Sequence, residues 1–227
     1  LVELERYEEA EASYAQTIQL KPDFAEAHSN LGDVLNGMRR FKEAKVSYQK
    51  AIALKPDFAE AHYNLGIALH ELGRFEEAEG SYLQTIKLKP DFAEAFNNFG
   101  IILHKMGRHE EAEVRYKQAI KLKPDFVKAY NNMGTVLQAQ GKSEEALGAF
   151  KQALTIKADY SEAYNNIGAV LNGQGKPEEA LKAYEKALEI NPDFSKASAG
   201  MGECLLKIGK FEEGRSLIKK TDGSISL

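Results

Sequence analysis

The chain has 227 residues, of which 43% are hydrophobic, and its 30 basic and 34 acidic side chains give a net charge of −4. These charges are scattered along the sequence, which argues against a nucleic-acid surface or a membrane-binding stripe. No apolar run reaches the roughly 20 residues that span a bilayer, and a single cysteine, Cys204, excludes an internal disulfide framework.

One sequence unit recurs along the chain. The motif Lys-Pro-Asp-Phe-Ala-Glu-Ala around Pro90 recurs in nearly the same form around Pro22, Pro56, Pro124 and Pro192, in steps of 34 residues or a multiple of 34. Each step leaves room for two helices. An internal repeat with this period indicates a stack of similar units.

When the units are aligned on this motif, the chain contains complete repeats and two incomplete ends. The repeats cover 25–58, 59–92, 93–126, 127–160 and 161–194, followed by a degenerate unit at 195–227. A short polar tail is expected from Thr221. Residues 1–24 match the second half of a unit, so the chain begins in mid-repeat. We therefore expect that the chain is a piece of a longer protein, or that its ends stack on another copy. All the units are expected to form one solenoid domain.

Each unit is predicted to fold as two helices. In unit 59–92 the apolar residues of the first half, from Ala61 to Leu72, recur at the spacing of one helix face. The second half shows helical spacing from Phe75 onward and stops before Pro90, since proline cannot continue a helix.

The ends of the first helices carry their own signals. Asp57, followed three residues later by Glu60, predicts an N-cap with a capping box. Gly73 predicts the end of that helix, because a residue without Cβ tolerates a left-handed turn. Glycine stands at the same place in other units, at Gly107, Gly141, Gly175 and Gly209. Arg39 is the exception.

Large and small residues are matched between the two helices of a unit. Gly66 and Ala78 are expected to let two backbones approach closely, while Leu65, Leu69 and Tyr82 fill the space on either side. One pair of helices cannot cover both of its apolar faces. Stacking on the next pair is therefore expected to form a continuous elongated core.

These signature positions resemble the tetratricopeptide repeat. In unit 59–92 they are His62, Leu65, Gly66, Leu69, Ala78, Tyr82, Thr85 and Pro90. The same pattern recurs in phase through the chain, with departures at Ala158, Gly214 and Ile218. The resemblance implies an all-α fold, a right-handed α-solenoid of stacked antiparallel helix pairs, whose concave wall is lined by the first helix of each pair.

Asparagines recur on the face that this resemblance assigns to the groove. The sixth residue of successive units is Asn30, Asn64, Asn98, Asn132 and Asn166, and Asn97, Asn131 and Asn165 stand one position earlier. A carboxamide offers an acceptor and two donors, so it can pair with the N–H and C=O groups of a peptide without reading its side chains. The alternative is that these asparagines bond only to water or to the adjacent helix. The ladder is similar to that in the tetratricopeptide superhelix of O-linked N-acetylglucosamine transferase, and Gly200 breaks the series.

Further residues are expected along the same groove. Tyr63, Ile67 and Ile101 would give apolar contacts to a peptide, and His70 and His104 occupy equivalent positions in successive units. We interpret these two histidines as solvated groove residues rather than metal ligands, since the pattern shows no third ligand. Acidic residues at the second position of the units argue against an acidic C-terminal motif as ligand; they are Glu26, Glu60, Glu94 and Glu162.

No catalytic, cofactor or metal site is predicted. The stretch Gly141-Lys142-Ser143 does not fit a phosphate loop, because its spacing is wrong and a helix precedes it. Cys204 holds an apolar core position, where we expect a packed thiol. His28 and His62 are interpreted as partly buried packing residues. With no paired nucleophile and base, the chain is not expected to be an enzyme.

The sequence favours a non-catalytic protein–protein interaction scaffold that binds an extended peptide segment of a protein partner in its concave groove. One alternative is an accessory domain that docks substrates for a larger enzyme such as a glycosyltransferase, as the transferase resemblance implies. Another is a self-assembling repeat array that forms end-to-end homo-oligomers. No nucleic-acid partner, membrane partner or cofactor is expected, and a cytoplasmic location fits the lone cysteine.

Overall fold

The computed structural model describes residues 2–223, with side chains for residues 6–219, and in this part of the chain it contains thirteen α-helices and no β-strand. The prediction of an all-α fold of antiparallel helix pairs is confirmed. The boundaries of the repeats stay a prediction. The last helix extends to Gly223, so the tail expected from Thr221 is helical as far as that residue. Residues 224–227 lie outside the described residues.

The chain divides after Leu122 into two compact units. The first unit contains α1 (Val2–Leu20), α2 (Ala25–Gly37), α3 (Phe41–Leu54), α4 (Ala59–Glu71), α5 (Phe75–Leu88), α6 (Ala93–Lys105) and α7 (His109–Leu122). The second unit contains α8 (Val127–Ala139), α9 (Ser143–Ile156), α10 (Ser161–Gly173), α11 (Pro177–Ile190), α12 (Ser195–Lys207) and α13 (Phe211–Gly223). Within each unit a first helix, such as α4 or α10, packs on the second helix that follows it, and that second helix packs on the next first helix where one follows within the unit. No helix among the described residues is long and apolar enough to cross a membrane.

The predicted glycine ends of the first helices are confirmed. Gly73 has a φ of 72°, in the left-handed region. Its N–H donates to the carbonyl of His70 at 2.9 Å and the N–H of Arg74 donates to the carbonyl of Leu69 at 2.9 Å, which satisfies the last turn of α4. The equivalent glycines also have positive φ, at Gly107, Gly141, Gly175 and Gly209. Arg39 adopts the same conformation with a φ of 60°.

The predicted aspartate N-caps are wrong. Helix α4 has Phe58 as its N-cap residue and no side-chain cap hydrogen bond, and α2, α6 and α10 begin in the same way. The N–H of Phe58 donates to the carbonyl of Lys55 at 3.1 Å, so Asp57 lies inside a turn, one residue before the cap. Glu60, expected to complete a capping box, forms an ion pair with Lys89 at 3.1 Å.

An aromatic ring from a second helix packs on a glycine of the first helix in most pairs. A Cβ on Gly66 would lie 2.7 Å from the ring of Tyr82, so this glycine makes room for the ring, whereas the sequence predicted a close approach of two backbones. The same pairing joins Gly32 to Tyr48, Gly100 to Tyr116, Gly134 to Phe150 and Gly168 to Tyr184. A Cβ on Gly200 would also collide with the ring of Tyr184, so this ring packs on a glycine of each of two first helices, Gly168 and Gly200.

The apolar position shared by the first helices is buried as predicted. Its residues are Val34, Ala68, Ile102, Val136, Val170 and Cys204. Burial raises the pKa of the Cys204 thiol, which keeps it protonated and unreactive. In the last pair a Cβ on Gly214 would lie 2.8 Å from the carbonyl oxygen of Gly202, so two backbones approach closely there and glycine replaces the usual alanine.

Candidate functional site

The predicted asparagines lie on first helices in both units. In the first unit the asparagine face denotes the surface formed by Asn30, Asn64, Asn98, Tyr63, Ile67 and Ile101. In the second unit it denotes the surface formed by Asn131, Asn132, Asn165 and Asn166. Asn30 is exposed, Asn97 and Asn131 are buried, and the other asparagines of the ladder are partly exposed.

Asp33 connects three helices at one edge of the asparagine face of the first unit. Its Oδ1 accepts a hydrogen bond from Nδ2 of Asn64 at 2.7 Å and another from the hydroxyl of Tyr48 at 2.8 Å. Loss of surrounding water raises the pKa of Asp33, and the two hydrogen bonds offset part of that shift. Sequence reasoning missed Asp33, although it stands at the ninth position of its unit, where Ile67 and Ile101 follow in the next two.

Asn98 is held from two sides in the same unit. Its Nδ2 donates to the hydroxyl of Tyr63 at 3.0 Å, and its Oδ1 accepts from Nδ2 of Asn97 at 3.1 Å. The ring of Tyr63 lies 4.6 Å from that of Phe92 between centroids. Burial raises the pKa of Tyr63, so its hydroxyl is a neutral donor and acceptor at physiological pH. The carboxamide of Asn98 is therefore fixed in orientation before any ligand arrives.

The hydroxyl of Tyr82 lies buried without a hydrogen-bond partner among the described residues. Its ring centroid lies 6.1 Å from that of Tyr63, close to the asparagine face. Burial raises the pKa of Tyr82. The amide of Asn98 lies close enough to offset part of that shift, but its hydrogen bond goes to the hydroxyl of Tyr63. An unpaired buried hydroxyl is unusual in a folded protein.

The second unit repeats the arrangement of Asn98. Nδ2 of Asn166 donates to Oδ1 of Asn131 on the preceding first helix at 3.0 Å. Nδ2 of Asn165 donates to Oδ1 of Asn166 at 3.2 Å. Farther along the same helix, Oδ1 of Asn172 accepts from Nζ of Lys207 at 2.6 Å. Asn132 is partly exposed on α8.

Several sixth-position asparagines thus link successive first helices. Asn64, Asn98 and Asn166 each donate to a residue of the preceding first helix, which is the adjacent-helix bonding that the sequence left open. A carboxamide has two N–H donors and an acceptor, so one such bond does not exhaust it. Because these side chains remain partly exposed, the face can still present amide groups to a ligand.

The predicted histidines have different surroundings from one another. His70 packs against Phe75, with ring centroids 5.9 Å apart, and burial lowers its pKa. His104 lies beside His109, a residue that sequence reasoning missed, with 3.1 Å between their Nδ1 atoms. Two other histidines close the turns before their helices: Nε2 of His28 donates to the carbonyl of Pro22 at 2.9 Å, and Nε2 of His62 donates to that of Pro56 at 3.0 Å.

Acidic side chains at the second position of two units are paired. Glu26 forms an ion pair with Lys55 at 3.0 Å, as Glu60 does with Lys89. A hydrogen bond from Lys55 lowers the pKa of Glu26. Among the described residues no group of three or more histidine, cysteine, aspartate or glutamate side chains could hold a metal ion.

Comparison with known proteins identifies similar folds. A family model described as the C-terminal domain of cilia and flagella-associated protein 70 matches residues 2–196, and a tetratricopeptide repeat model matches residues 171–223. A tetratricopeptide repeat protein from Parabacteroides merdae is similar with a TM-score of 0.81 at 19% identity, over 98% of this chain and 88% of that one. No curated protein matches the chain in sequence.

Two further solved structures are similar. MamA gives a TM-score of 0.66 at 27% identity, over 73% of this chain and 97% of that one. YrrB, described as a tetratricopeptide repeat protein with an unusual peptide-binding site, gives a TM-score of 0.65 at 23% identity, over 81% of this chain and 95% of that one.

Proposed function

The chain belongs to the tetratricopeptide-repeat family, in the group of the C-terminal domain of cilia and flagella-associated protein 70, and from that premise we propose that it binds extended peptide segments on its asparagine face. The family's fold serves generally as a scaffold for protein–protein interaction. YrrB, on a similar fold, is described as having a peptide-binding site. The proposed role is non-catalytic.

The observation that carries this proposal is the fixed orientation of Asn98. Ordering a free side chain on binding costs free energy, and the bonds from Asn97 and to Tyr63 have already met that cost. The remaining N–H of such a carboxamide can donate to a backbone carbonyl of a peptide. Asn166, held by Asn165 and Asn131, has the same arrangement in the second unit.

The surroundings of these amides suit an extended segment with apolar and donor groups. Tyr63, Ile67 and Ile101 are partly exposed beside Asn64 and Asn98 and supply apolar contact. The carboxylate of Asp33 accepts from two neutral groups, so it adds a negative charge at one edge of the face. A ligand N–H or a basic side chain is favoured there.

Titrating isotope-labelled protein with a pool of unstructured peptides tests the proposal. We expect chemical-shift changes on the asparagine face and roughly tenfold weaker binding of a selected peptide by Asn98→Ala, the effect of one lost hydrogen bond. Gln49→Ala is the matched control, since Gln49 is an exposed carboxamide on the second helix α3 of the same unit. Shifts confined to other surfaces, or equal binding by Asn98→Ala and the wild type, would contradict it.

Self-association is a second candidate role, favoured by a cavity beside α1 and α2. The cavity has a volume of about 370 Å³ and is lined by Arg6, Tyr7, Ala10, Tyr14 and Val34. Aromatic and aliphatic walls of this kind can receive a helix of another copy. Sedimentation over a wide concentration range measures the oligomeric state, and a monomer throughout would remove this role.

A docking role for a larger enzyme would use the asparagine face itself, so the peptide titration applies to it equally.

A further inference from the structure

His104 and His109 face each other across the turn between α6 and α7. His104 lies in the last turn of α6 and His109 is the first residue of α7, and Gly107 between them has a φ of 77°. This left-handed turn brings the two Nδ1 atoms to 3.1 Å. The ring centroids lie 4.9 Å apart with an angle of 45° between planes, and both residues are partly exposed.

This separation matches the spacing of two nitrogens bound to one metal ion. With Zn–N bonds of about 2.0–2.1 Å, two ligands at a tetrahedral angle lie about 3.3 Å apart, and two at a right angle lie about 2.9 Å apart. The observed 3.1 Å falls between these values. We propose that His104 and His109 form a two-histidine binding site for a divalent transition-metal ion of the zinc, nickel and copper class, with water as the other ligands.

The charges around the pair allow a cation to bind. The guanidinium of Arg108 is held by Glu79 at 2.6 Å and by Glu111 at 2.7 Å. The ammonium group of Lys105 lies over the ring of Phe75, 5.9 Å from its centroid.

Without metal, the same distance corresponds to a hydrogen bond between one Nδ1–H and the other Nδ1. This bond positions both nitrogens before a metal arrives. When the ion binds, the donor histidine carries its proton on Nε2 instead, so both Nδ1 lone pairs are free to coordinate. In the hydrogen bond each nitrogen faces the other, so the two rings must turn until both lone pairs point at the ion.

The preceding helix pair provides a natural comparison. There His70 stands at the position of His104, but Phe75 stands at the position of His109, with ring centroids 5.9 Å apart. His28 and His62 already donate through Nε2 to backbone carbonyls of the turns that precede their helices. Of the five histidines in the chain, only His104 and His109 have their ring nitrogens within hydrogen-bonding distance of each other in the described residues.

Calorimetric titration of the full, tag-free chain with zinc, nickel and copper salts, in a buffer that does not coordinate metals, tests this proposal. We expect one ion per chain, with binding weakened at least about tenfold in both His104→Ala and His109→Ala. His70→Ala should bind as the wild type does. Imidazole resonances of His104 and His109, and not those of His70, should shift or broaden on titration.

Phe75→His gives a test by gain of binding. It pairs His70 with a second imidazole and should raise the stoichiometry from one ion to two, which loss of folding cannot mimic. Circular dichroism confirms that each variant is folded. Absence of binding to the wild type at millimolar metal, or binding that survives His109→Ala, would overturn the proposal and leave the pair as a hydrogen bond alone. Peptide binding by the asparagine face is measured separately and is independent of this result.

Discussion

The hydroxyl groups of Tyr48 and Tyr82 meet different surroundings although both rings are fully buried. Tyr48 donates to Asp33 at 2.8 Å. In the next pair Ile67 stands at the position of Asp33 and offers no acceptor. The hydroxyl of Tyr82 has no partner in the described part of the chain. A buried polar group without a partner reduces stability, so the two residues are not equivalent in energy.

Removing the two hydroxyls should have different effects on stability. Tyr48→Phe is expected to lower the free energy of unfolding by about 1–3 kcal/mol, because a hydrogen bond to a carboxylate is lost. Tyr82→Phe is expected to leave the free energy of unfolding unchanged or to raise it, since no bond is lost. Urea unfolding of the two variants measures both values. Equal losses would show that an ordered water pairs with Tyr82.

At this scale the sequence predicted positions better than partners. The helical period placed Asn64 and Asn98 on first helices, and both are there. Their partners, Asp33 and Tyr63, depend on side-chain rotamers and on the rotation of the neighbouring helix, which a one-dimensional pattern does not contain. His109 was missed because it opens a second helix, outside the first-helix positions that the resemblance assigned to the groove.

Glycine has two separate uses within the helices themselves. On α4, Gly66 lies under the ring of Tyr82, where a Cβ would come within 2.7 Å of a ring carbon. On α5, a Cβ at Gly80 would meet no atom within 4 Å. Gly66 is therefore required by packing, whereas Gly80 only weakens its helix.

Alanine at these two glycines should shift stability in opposite directions. Gly66→Ala is expected to lower the free energy of unfolding by about 1–3 kcal/mol, because the added methyl group displaces a fully buried ring. Gly80→Ala should raise it by about 1 kcal/mol through helix propensity alone. Thermal unfolding followed by circular dichroism compares the two. A stable Gly66→Ala variant would mean that the ring can move away at little cost.

Helix ends were predicted more reliably than helix starts. A glycine at the end requires only a local conformation, and the positive φ of Gly73 bears this out. The start depends on how the preceding turn closes. Because Phe58 bonds back to Lys55, the turn includes Asp57, and the cap moves one residue along the chain. Sequence spacing does not reveal such a shift of one residue.

Each unit of the molecule has a core made by neighbouring helices only. In the second unit one cluster surrounds Phe150, with Leu137, Leu147 and Val170 among its buried members. A repeat array of this kind gains stability from each pair and from its contacts with adjacent pairs. Damage to one pair is therefore expected to remain local.

Phe150→Ala tests this locality. Truncating a fully buried phenylalanine costs about 3–5 kcal/mol. Amide hydrogen exchange should show the loss of protection concentrated in α8 to α11, while α2 to α5 keep most of theirs. A uniform loss along the chain would indicate that the array unfolds as one cooperative body.

The fold as a whole followed from the sequence because every signal is repeated. Helical periodicity, the terminal glycine and the Pro-Asp-Phe motif recur in phase. A weak signal in one unit is therefore compensated by the same signal in its neighbours. The division after Leu122 had no such signal. The Lys-Pro-Asp-Phe motif at Pro124 is the same as at Pro56 and Pro90. Only Val127 and Lys128 differ from the Ala-Glu that follows there, and this difference does not mark a division.

The buried phenol rings also make the protein sensitive to alkali. Burial raises the pKa of Tyr48, Tyr82 and Tyr116 above the ordinary value of about 10, and raises that of Tyr184 to about 12. A phenol with a higher pKa in the folded state stabilises that state at neutral pH, and this contribution is lost as the pH rises. The chain contains no tryptophan, so ultraviolet absorbance reports the ionised phenols without interference. In strong base a late rise of phenolate absorbance should coincide with the loss of helical circular dichroism; ionisation of these rings while the helices persist would contradict their burial.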